Sequence, residues 1–225
     1  MPPLTSASAP RRTYRSPLRE RQARETRRRM LVAASTEFAR GGYAATPMRA
    51  IARAAHVSVA TLELAFGSKP QLLQAAITFS IRGDADPTPM LQRPWARRAE
   101  EARSAAELLA ISAGVLVDGQ RRSAGLIVAA FEAAHQDAAL SALAGRLRAQ
   151  RAETATWLVD RLLARARLRP ELTREQAIDT VWLLMDPHSF QSLTRDRGWT
   201  GRRYEAWFSD SVHRLLLPDG SSTTT

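Results

Sequence analysis

The sequence has 225 residues, 44% of them hydrophobic, so it is long enough to bury a substantial core in one large or two smaller domains. It contains no cysteine, which excludes disulfide-stapled folds and thiolate metal centres. No apolar run approaches the roughly 18 residues of a membrane span, and the N-terminus lacks the apolar stretch of a secretory signal. We therefore expect a cytoplasmic protein.

The net charge of +11 is concentrated at the beginning of the chain. Residues 1–69 contain 13 basic residues against four acidic ones, whereas the remainder is nearly neutral. Such a block is typical of a surface that binds a polyanion such as nucleic acid. Charge alone leaves open the other interpretation, a solvated basic tail without a partner.

Residues 1–23 are rich in proline, serine and arginine and have no apolar period, which predicts a disordered basic arm. The pattern then becomes helical. Leu31, Ala34 and Phe38 recur at the spacing of one helix face, and the glycine pair at 41–42 ends this first helix.

Two short helices follow, at the spacing of a helix-turn-helix. Thr46 and Pro47 predict the start of the first, with the threonine hydroxyl as its cap. It ends near Ala54, and after a turn at 55–57 the second begins at Ser58. The N-terminal end of this second helix is left exposed, in the position from which such a helix enters a DNA major groove.

A capping box formed by Ser68 and Gln71 opens a fourth helix, and a proline- and glycine-containing loop at 83–94 follows it. The rest of the chain is helical in pattern, with predicted segments at 95–120, 122–136, 141–168, 173–186, 188–196 and 202–216. We therefore predict an all-α protein of about nine or ten helices. A three-helix helix-turn-helix domain at 24–83 precedes a helical-bundle domain at 84–217, and 218–225 form a flexible tail.

Residues 25–80 resemble the N-terminal domain of the TetR family of bacterial transcriptional regulators. The resemblance runs through every helix of the domain, in the residues Ala34, Phe38, Gly42, Tyr43, Thr46, Ile51, Ala52, Ala55, Val57, Ser58, Thr61, Leu62, Phe66, Ser68, Lys69, Leu72 and Leu73. It implies that Thr46 and Lys69 bind phosphates and that Tyr43 packs near the phosphate backbone. The residues implied to face the groove are Ser58, Val59, Ala60 and Thr61, with Glu63 and Leu64 beside them.

Three positions depart from the family pattern. His56 stands in the turn where glycine is usual, Val59 replaces a common basic residue, and the run at 63–66 lacks the usual tyrosines. Glu63 either accepts a hydrogen bond from a cytosine amino group or pairs with a nearby arginine, and we favour the second. Arg49 and the basic arm then supply the missing phosphate contacts.

The second domain is predicted to bind a small apolar ligand between its helices, although core packing is the more common explanation for any single residue. The candidate pocket residues are Trp95, Ile111, Val115, Phe131, His135, Trp157, Trp182 and Met185. Of these, His135, together with Glu132, would supply polar contacts. By the same resemblance, the late segments 141–168 and 173–186 are predicted to form a homodimer interface, since a two-fold dimer reads two half-sites.

These patterns predict a DNA-binding transcriptional regulator, a ligand-responsive repressor that acts as a homodimer on a palindromic operator. The alternative is a helical ligand- or protein-binding module that has lost operator reading. We expect no enzymatic activity, cofactor or metal site, because no nucleophile elbow, phosphate loop or dinucleotide glycine pattern is present. His135 with Asp137, and His188 with Asp186, provide too few ligands for a metal.

Overall fold

The computed structural model describes residues 17–84, 86 and 88–218. This part of the chain is all-helical and confirms the predicted fold class. Its ten α-helices are α1 Pro17–Gly41, α2 Met48–Ala54, α3 Val59–Phe66, α4 Lys69–Arg82, α5 Pro94–Glu101, α6 Ala105–Glu132, α7 Ala138–Leu163, α8 Arg174–Leu184, α9 Pro187–Gln191 and α10 Gly201–Leu216. A 3₁₀ turn covers Met90–Gln92, and a π-helical turn covers Ser192–Asp196.

Helices α1 to α4 share one core. The predicted stripe of α1 is buried, and Phe38 is completely enclosed. It meets Ile51 of α2, Leu62 of α3 and the apolar face of α4. The same cluster continues into α6 and α7 through Leu126 and Leu140, so α4 is packed on both sides.

The second domain is organised around α6, a helix of 28 residues that contacts α5, α7, α9 and α10. Its core includes Val117, Val181 and Phe208. Tyr204 of α10 is fully buried there, and its hydroxyl donates to the Leu184 carbonyl at 3.0 Å. Burial of this phenol raises its pKa above the ordinary value.

The boundaries of the second domain differ from those predicted. The segment predicted as one helix at 95–120 is broken at 102–104, and the break predicted at 121 does not exist. Ser104 caps α6 by accepting the Glu107 N–H at 3.1 Å, and the Glu107 carboxylate accepts the Arg103 N–H at 2.8 Å. These two hydrogen bonds favour a helix start at Ser104, whereas no glycine or proline interrupts the chain at 121.

The predicted disordered arm is wrong over residues 17–23, which form the first turns of α1. Proline suits the first turn of a helix because its fixed φ is already helical, and the arginine, glutamate and alanine residues that follow favour helix. Residues 1–16 and 219–225 lie outside the described residues, and so does most of the predicted tail.

Candidate nucleic-acid interface and ligand cavity

The helix-turn-helix geometry is formed by α2, α3 and the tight turn between them. The Val57 N–H donates to the Ala52 carbonyl at 3.0 Å, which brings the chain back against α2. His56 has φ of +54°, the only non-glycine residue with a positive φ in the described ranges. The sequence departure at this position is therefore accommodated by a left-handed histidine.

Ser58 caps α3, the candidate recognition helix. Its Oγ accepts the Thr61 N–H at 3.0 Å and lies 2.8 Å from the Thr61 hydroxyl. Ser58, Ala60 and Thr61 are exposed, and so is Leu64, at 91%. Val59, by contrast, is half-buried against the core of the first domain, so only part of its side chain faces outwards.

Glu63 is exposed and forms no ion pair with any residue in the described part of the chain, so the predicted arginine pairing is wrong. The arginine nearest the end of α3 has other partners. Arg27 of α1 donates Nη1 to the Ala65 carbonyl at 2.9 Å and places its guanidinium 4.2 Å from the centre of the Phe66 ring. A cation at this end also suits the helix dipole. Sequence periodicity gave no signal for this contact, because it joins residues 38 positions apart.

Thr46 does not cap α2, contrary to the prediction. The N-cap position is occupied by Pro47, and the Thr46 side chain is directed inwards with 3% of the residue exposed. Its hydroxyl lies 2.7 Å from the Gly42 carbonyl and 3.1 Å from that of Glu37, and these acceptors satisfy it. Thr46 therefore fastens the end of α1 to the start of α2, and its hydroxyl is hydrogen-bonded within the protein.

Lys69 begins α4, and its ammonium group packs over the ring of Tyr43. The ammonium nitrogen lies 4.2 Å from the centre of the Tyr43 ring, which stacks in turn on Phe38. Partial burial lowers the pKa of Lys69, and burial, with a smaller contribution from the charge of Asp137, raises that of Tyr43. The predicted capping box is present, with the Gln71 amide oxygen accepting the Ser68 N–H at 2.7 Å.

The basic residues around α3 come from its neighbours. Helix α3 contains neither lysine nor arginine. Arg49 and Arg53 of α2 are exposed beside it, and α1 carries a run of exposed arginines at its N-terminal end. Helix α3 therefore offers shape and apolar contact, whereas the positive charge is supplied by α1, α2 and Lys69.

A cavity of about 160 Å³ lies within the second domain. Five of the eight predicted pocket residues line it, namely Trp95, Val115, Phe131, Trp157 and Met185. The other three predicted pocket residues lie elsewhere. Ile111 packs against the core, and His135 is exposed just after the end of α6. The Trp182 ring contacts Arg151, whose guanidinium carbon lies 3.9 Å from the centre of the ring. Glu132 is also exposed and does not line the cavity.

The polar residues of the cavity were missed by sequence reasoning. Four buried polar atoms have no hydrogen-bond partner in the described structure, and the residues that carry all four line this one cavity. They are Trp95 Nε1, Ser112 Oγ, Gln120 Oε1 and Arg151 Nε. Since buried polar atoms are normally paired, these four unpaired atoms make the cavity a candidate binding site.

Two of these side chains are fixed in orientation by contacts on their other side. Gln120 donates its amide nitrogen to the Met185 carbonyl at 2.8 Å, which leaves Oε1 as the unpaired atom. Arg151 donates Nη1 to Asp186. The Asp186 carboxylate also accepts the His188 N–H and caps α9.

Comparison with known proteins shows what the two domains of this chain are similar to. The sequence model described as bacterial regulatory proteins of the tetR family matches residues 30–76, which include α2, α3 and their turn. This chain carries the N-terminal domain of the TetR family. No curated protein sequence matches the chain.

Solved structures extend the similarity over most of this chain. A transcriptional regulator from Saccharomonospora viridis in complex with choline is 20% identical, with a TM-score of 0.63 over 87% of this chain and 99% of that one. NalD, the secondary repressor of the MexAB-OprM multidrug efflux pump in Pseudomonas aeruginosa, is 19% identical, with a TM-score of 0.61 over 88% and 99%. SmeT, bound to triclosan, is 15% identical, with a TM-score of 0.64 over 88% and 95%. At these identities the similarity establishes a shared fold.

Helix α4 connects the two sites of this TetR-family fold. Ile81, in its last turn, lines the cavity. Arg122 of α6 donates to the carbonyls of Ser80 and Ile81 at 2.9 and 3.2 Å, and Arg93 donates to that of Arg82 at 3.0 Å. Two arginines of the second domain thus hold the C-terminal end of the helix that begins beside α3. None of the described helices has the length and apolar character of a membrane span.

Proposed function

We propose that this chain is a DNA-binding transcriptional regulator, a ligand-responsive repressor that acts in the cytoplasm as a homodimer on a palindromic operator. The observation that carries the proposal is the capped, outward-facing α3, whose exposed residues lie beside the basic side chains of α2 and α4. A polyanion is the partner that this combination of shape and charge suits.

Affinity and specificity are expected to come from different helices. Arg49, Lys69 and the arginines of α1 bind phosphates, which positions α3 without reading sequence. On α3, Ala60 and Leu64 offer apolar contact with thymine methyl groups, and the unpaired Glu63 is free to accept a hydrogen bond from a cytosine amino group. Binding should therefore be strongly salt-dependent.

Fluorescence anisotropy with DNA from upstream of the chain's own coding sequence tests this proposal. Arg49→Ala should weaken binding to all sequences and reduce the slope of log affinity against log salt by about 1, as loss of one phosphate contact does. Arg97→Ala is the matched control, because it removes an equally exposed arginine from α5 in the second domain. Equal salt slopes for the two variants would show that Arg49 does not contact DNA.

The basic N-terminal segment is tested by two truncations. Residues 1–29 contain nine arginines and two glutamates, six of those arginines after Pro17 on α1. We expect deletion of 1–16 and deletion of 1–23 each to lower the salt slope, the longer deletion by more. An unchanged slope for the longer deletion would show that this segment does not touch DNA.

Dimerisation is proposed through the segments 141–168 and 173–186. Leu163 and Leu183, exposed at 39% and 61%, are large apolar side chains on these segments that a partner would cover. Leu183→Arg should convert a dimer to a monomer in size-exclusion chromatography with light scattering. The control Val32→Arg, a 43% exposed apolar side chain on α1, should leave the mass unchanged. A dimer that survives Leu183→Arg would place the interface elsewhere.

Ligand response is proposed to run from the cavity along α4. A ligand that contacts Ile81 and favours one position of the end of α4 changes the population of the DNA-binding arrangement. Couplings of this kind change affinity by about 5- to 150-fold. The solved complexes of SmeT with triclosan and of the Saccharomonospora viridis regulator with choline support a small-molecule site in this fold.

The second candidate is a helical binding module that has lost operator reading. It is favoured by two observations, the absence of any basic residue on α3 and the absence of an ion pair between Glu63 and any described residue. The anisotropy experiment separates the two. Salt-sensitive binding that prefers the upstream DNA over a shuffled sequence supports the regulator, whereas binding that does not distinguish them supports the module.

A further inference from the structure

The unpaired atoms of the cavity define a hydrogen-bonding pattern. Trp95 Nε1 and Arg151 Nε are donors only, Gln120 Oε1 is an acceptor only, and the Ser112 hydroxyl is both. Gln120 and Ser112 are deeply buried, with 7% and 9% of each residue exposed. Ser112 and Gln120 are eight residues apart on α6, about 12 Å along the helix, so one small group cannot reach all four atoms. A hydroxyl group, which both donates and accepts, meets the polar atoms at one end of the cavity better than a purely apolar molecule does.

The walls of the cavity disfavour a cationic ligand. Four aromatic residues line it, Trp95, Phe131, Trp157 and Phe208, and aromatic walls bind both flat rings and cations. The only charged side chain of the lining is Arg151, which has no carboxylate facing it across the cavity. Its partner Asp186 is outside the lining and also caps α9. The lining therefore offers no carboxylate to a positive charge, and a flat neutral ring fits.

The size of the cavity limits the part of the ligand that is enclosed. The volume of about 160 Å³ is close to that of an engineered apolar cavity of ~150 Å³ that binds benzene. A second cavity of about 280 Å³ lies between α4 and α7 and shares Ile81, Met90, Leu147 and Gln150 with the first. It adjoins the first cavity and offers room for the remainder of a larger molecule.

We propose that the first cavity binds a neutral aromatic ring that carries a hydroxyl group, a phenol-type ligand, whose hydroxyl is hydrogen-bonded to Ser112. This inference rests on the proposed function and specifies the chemical class of its ligand. The competing occupant is ordered water, which would satisfy the same atoms without selecting any organic ligand.

Isothermal titration calorimetry of the full chain with three probes of similar size tests the proposal. The probes are 4-ethylphenol, ethylbenzene, which lacks the hydroxyl oxygen, and benzylammonium, which is positively charged. We expect 4-ethylphenol to bind about tenfold or more tightly than ethylbenzene, the effect of one or two buried hydrogen bonds. Benzylammonium should show no saturable binding.

Two serine variants on α6 form a matched pair. Ser112→Ala removes an unpaired hydroxyl and should lower the preference for 4-ethylphenol over ethylbenzene by at least about threefold without loss of stability. Ser123→Ala removes a hydroxyl from the same lining that already donates to the Gly119 carbonyl at 2.8 Å, so it should leave the preference unchanged.

Each other result overturns the inference. Equal affinity for 4-ethylphenol and ethylbenzene would show that water serves the polar atoms, and tighter binding of benzylammonium would show that the aromatic walls select a cation. If none of the probes binds at millimolar concentration, the cavity is not a site for phenol-type ligands. Anisotropy with DNA is measured separately on the same preparations, so that a failure of DNA binding is distinguished from a failure of the ligand assignment.

Discussion

Replacement of Arg93 by methionine tests how firmly the end of α4 is held by the second domain. Arg93 is 8% exposed, although it lies in the connection between α4 and α5. All three guanidinium nitrogens donate to backbone carbonyls, Nε to Thr88 at 3.2 Å, Nη1 to Arg82 at 3.0 Å and Nη2 to Asp86 at 3.0 Å. The two Nη atoms also contact the Asp84 carboxylate at 3.2 and 2.9 Å.

The magnitude follows from the three carbonyl bonds. A hydrogen bond that involves a charged group contributes about 1.5–3 kcal/mol, and water at the loop surface replaces part of this. The Asp84 side chain is 55% exposed, so its contacts are screened and are not counted. We expect Arg93→Met to lower the free energy of unfolding by about 3 kcal/mol. Arg93→Lys should lower it by about half as much, because one nitrogen cannot reach three separate carbonyls.

Urea denaturation followed by circular dichroism at 222 nm measures the effect, and thermal denaturation provides a second estimate. In a chain of this length 1 kcal/mol corresponds to a change in Tm of about 2–4 °C, so the methionine variant should melt about 6–12 °C lower. Arg97→Met is the control, since Arg97 is exposed on α5. A loss within about 0.5 kcal/mol of that control would refute the reasoning.

Three further predictions concern local structure. His56→Gly should raise the free energy of unfolding by about 0.5–1 kcal/mol, because φ of +54° strains a residue that has a Cβ atom, and a loss of stability in urea would contradict this. Arg27→Met should speed hydrogen exchange at the end of α3, because it removes the hydrogen bond to the Ala65 carbonyl. Arg28→Met, at an exposed neighbour, should not, and equal exchange rates in the two variants would show that Arg27 does not stabilise this end of α3. The pKa of Asp84 is held below its ordinary value of 3.8, chiefly by the hydrogen bond from Arg93. Its contribution to stability is therefore present above pH 4 and lost as the pH falls through the lowered pKa. Asp84→Asn should flatten the acid limb of the stability curve, and an identical limb would show that the pair contributes nothing.

Local sequence signals predicted most of the first domain. The caps Ser58 and Ser68 and the periodic apolar residues around them depend on neighbours within four positions, which a single sequence displays directly. Thr46 shows the limit of this approach. Its sequence context is that of a cap, but its hydroxyl bonds to the carbonyls of Glu37 and Gly42, and that choice is made by the packing of α1 on α2.

The ligand cavity could be predicted only in part, for a different reason. Its aromatic residues stand out in an alanine- and leucine-rich sequence, whereas Gln120 and Arg151 look like ordinary polar residues of solvated helix faces. Gln120 becomes a buried cavity residue because it bonds to Met185, 65 positions away, and Arg151 because it meets Asp186, 35 positions away. Contacts at such separations are set by how α6, α7 and α9 pack, which periodicity does not specify.

Helix α4 gives the proposed regulation a physical route. Its 14 residues span about 21 Å as a straight helix, from Lys69 beside the DNA-facing surface to Arg82 beside the cavity. Because it is packed between the first-domain core and α6, a displacement at one end is transmitted to the other instead of being absorbed by bending. The end near the cavity is held by Arg93 and Arg122, whose hydrogen bonds are directional and therefore favour discrete positions. A ligand that touches Ile81 needs only to favour one of these positions to change the placement of α3.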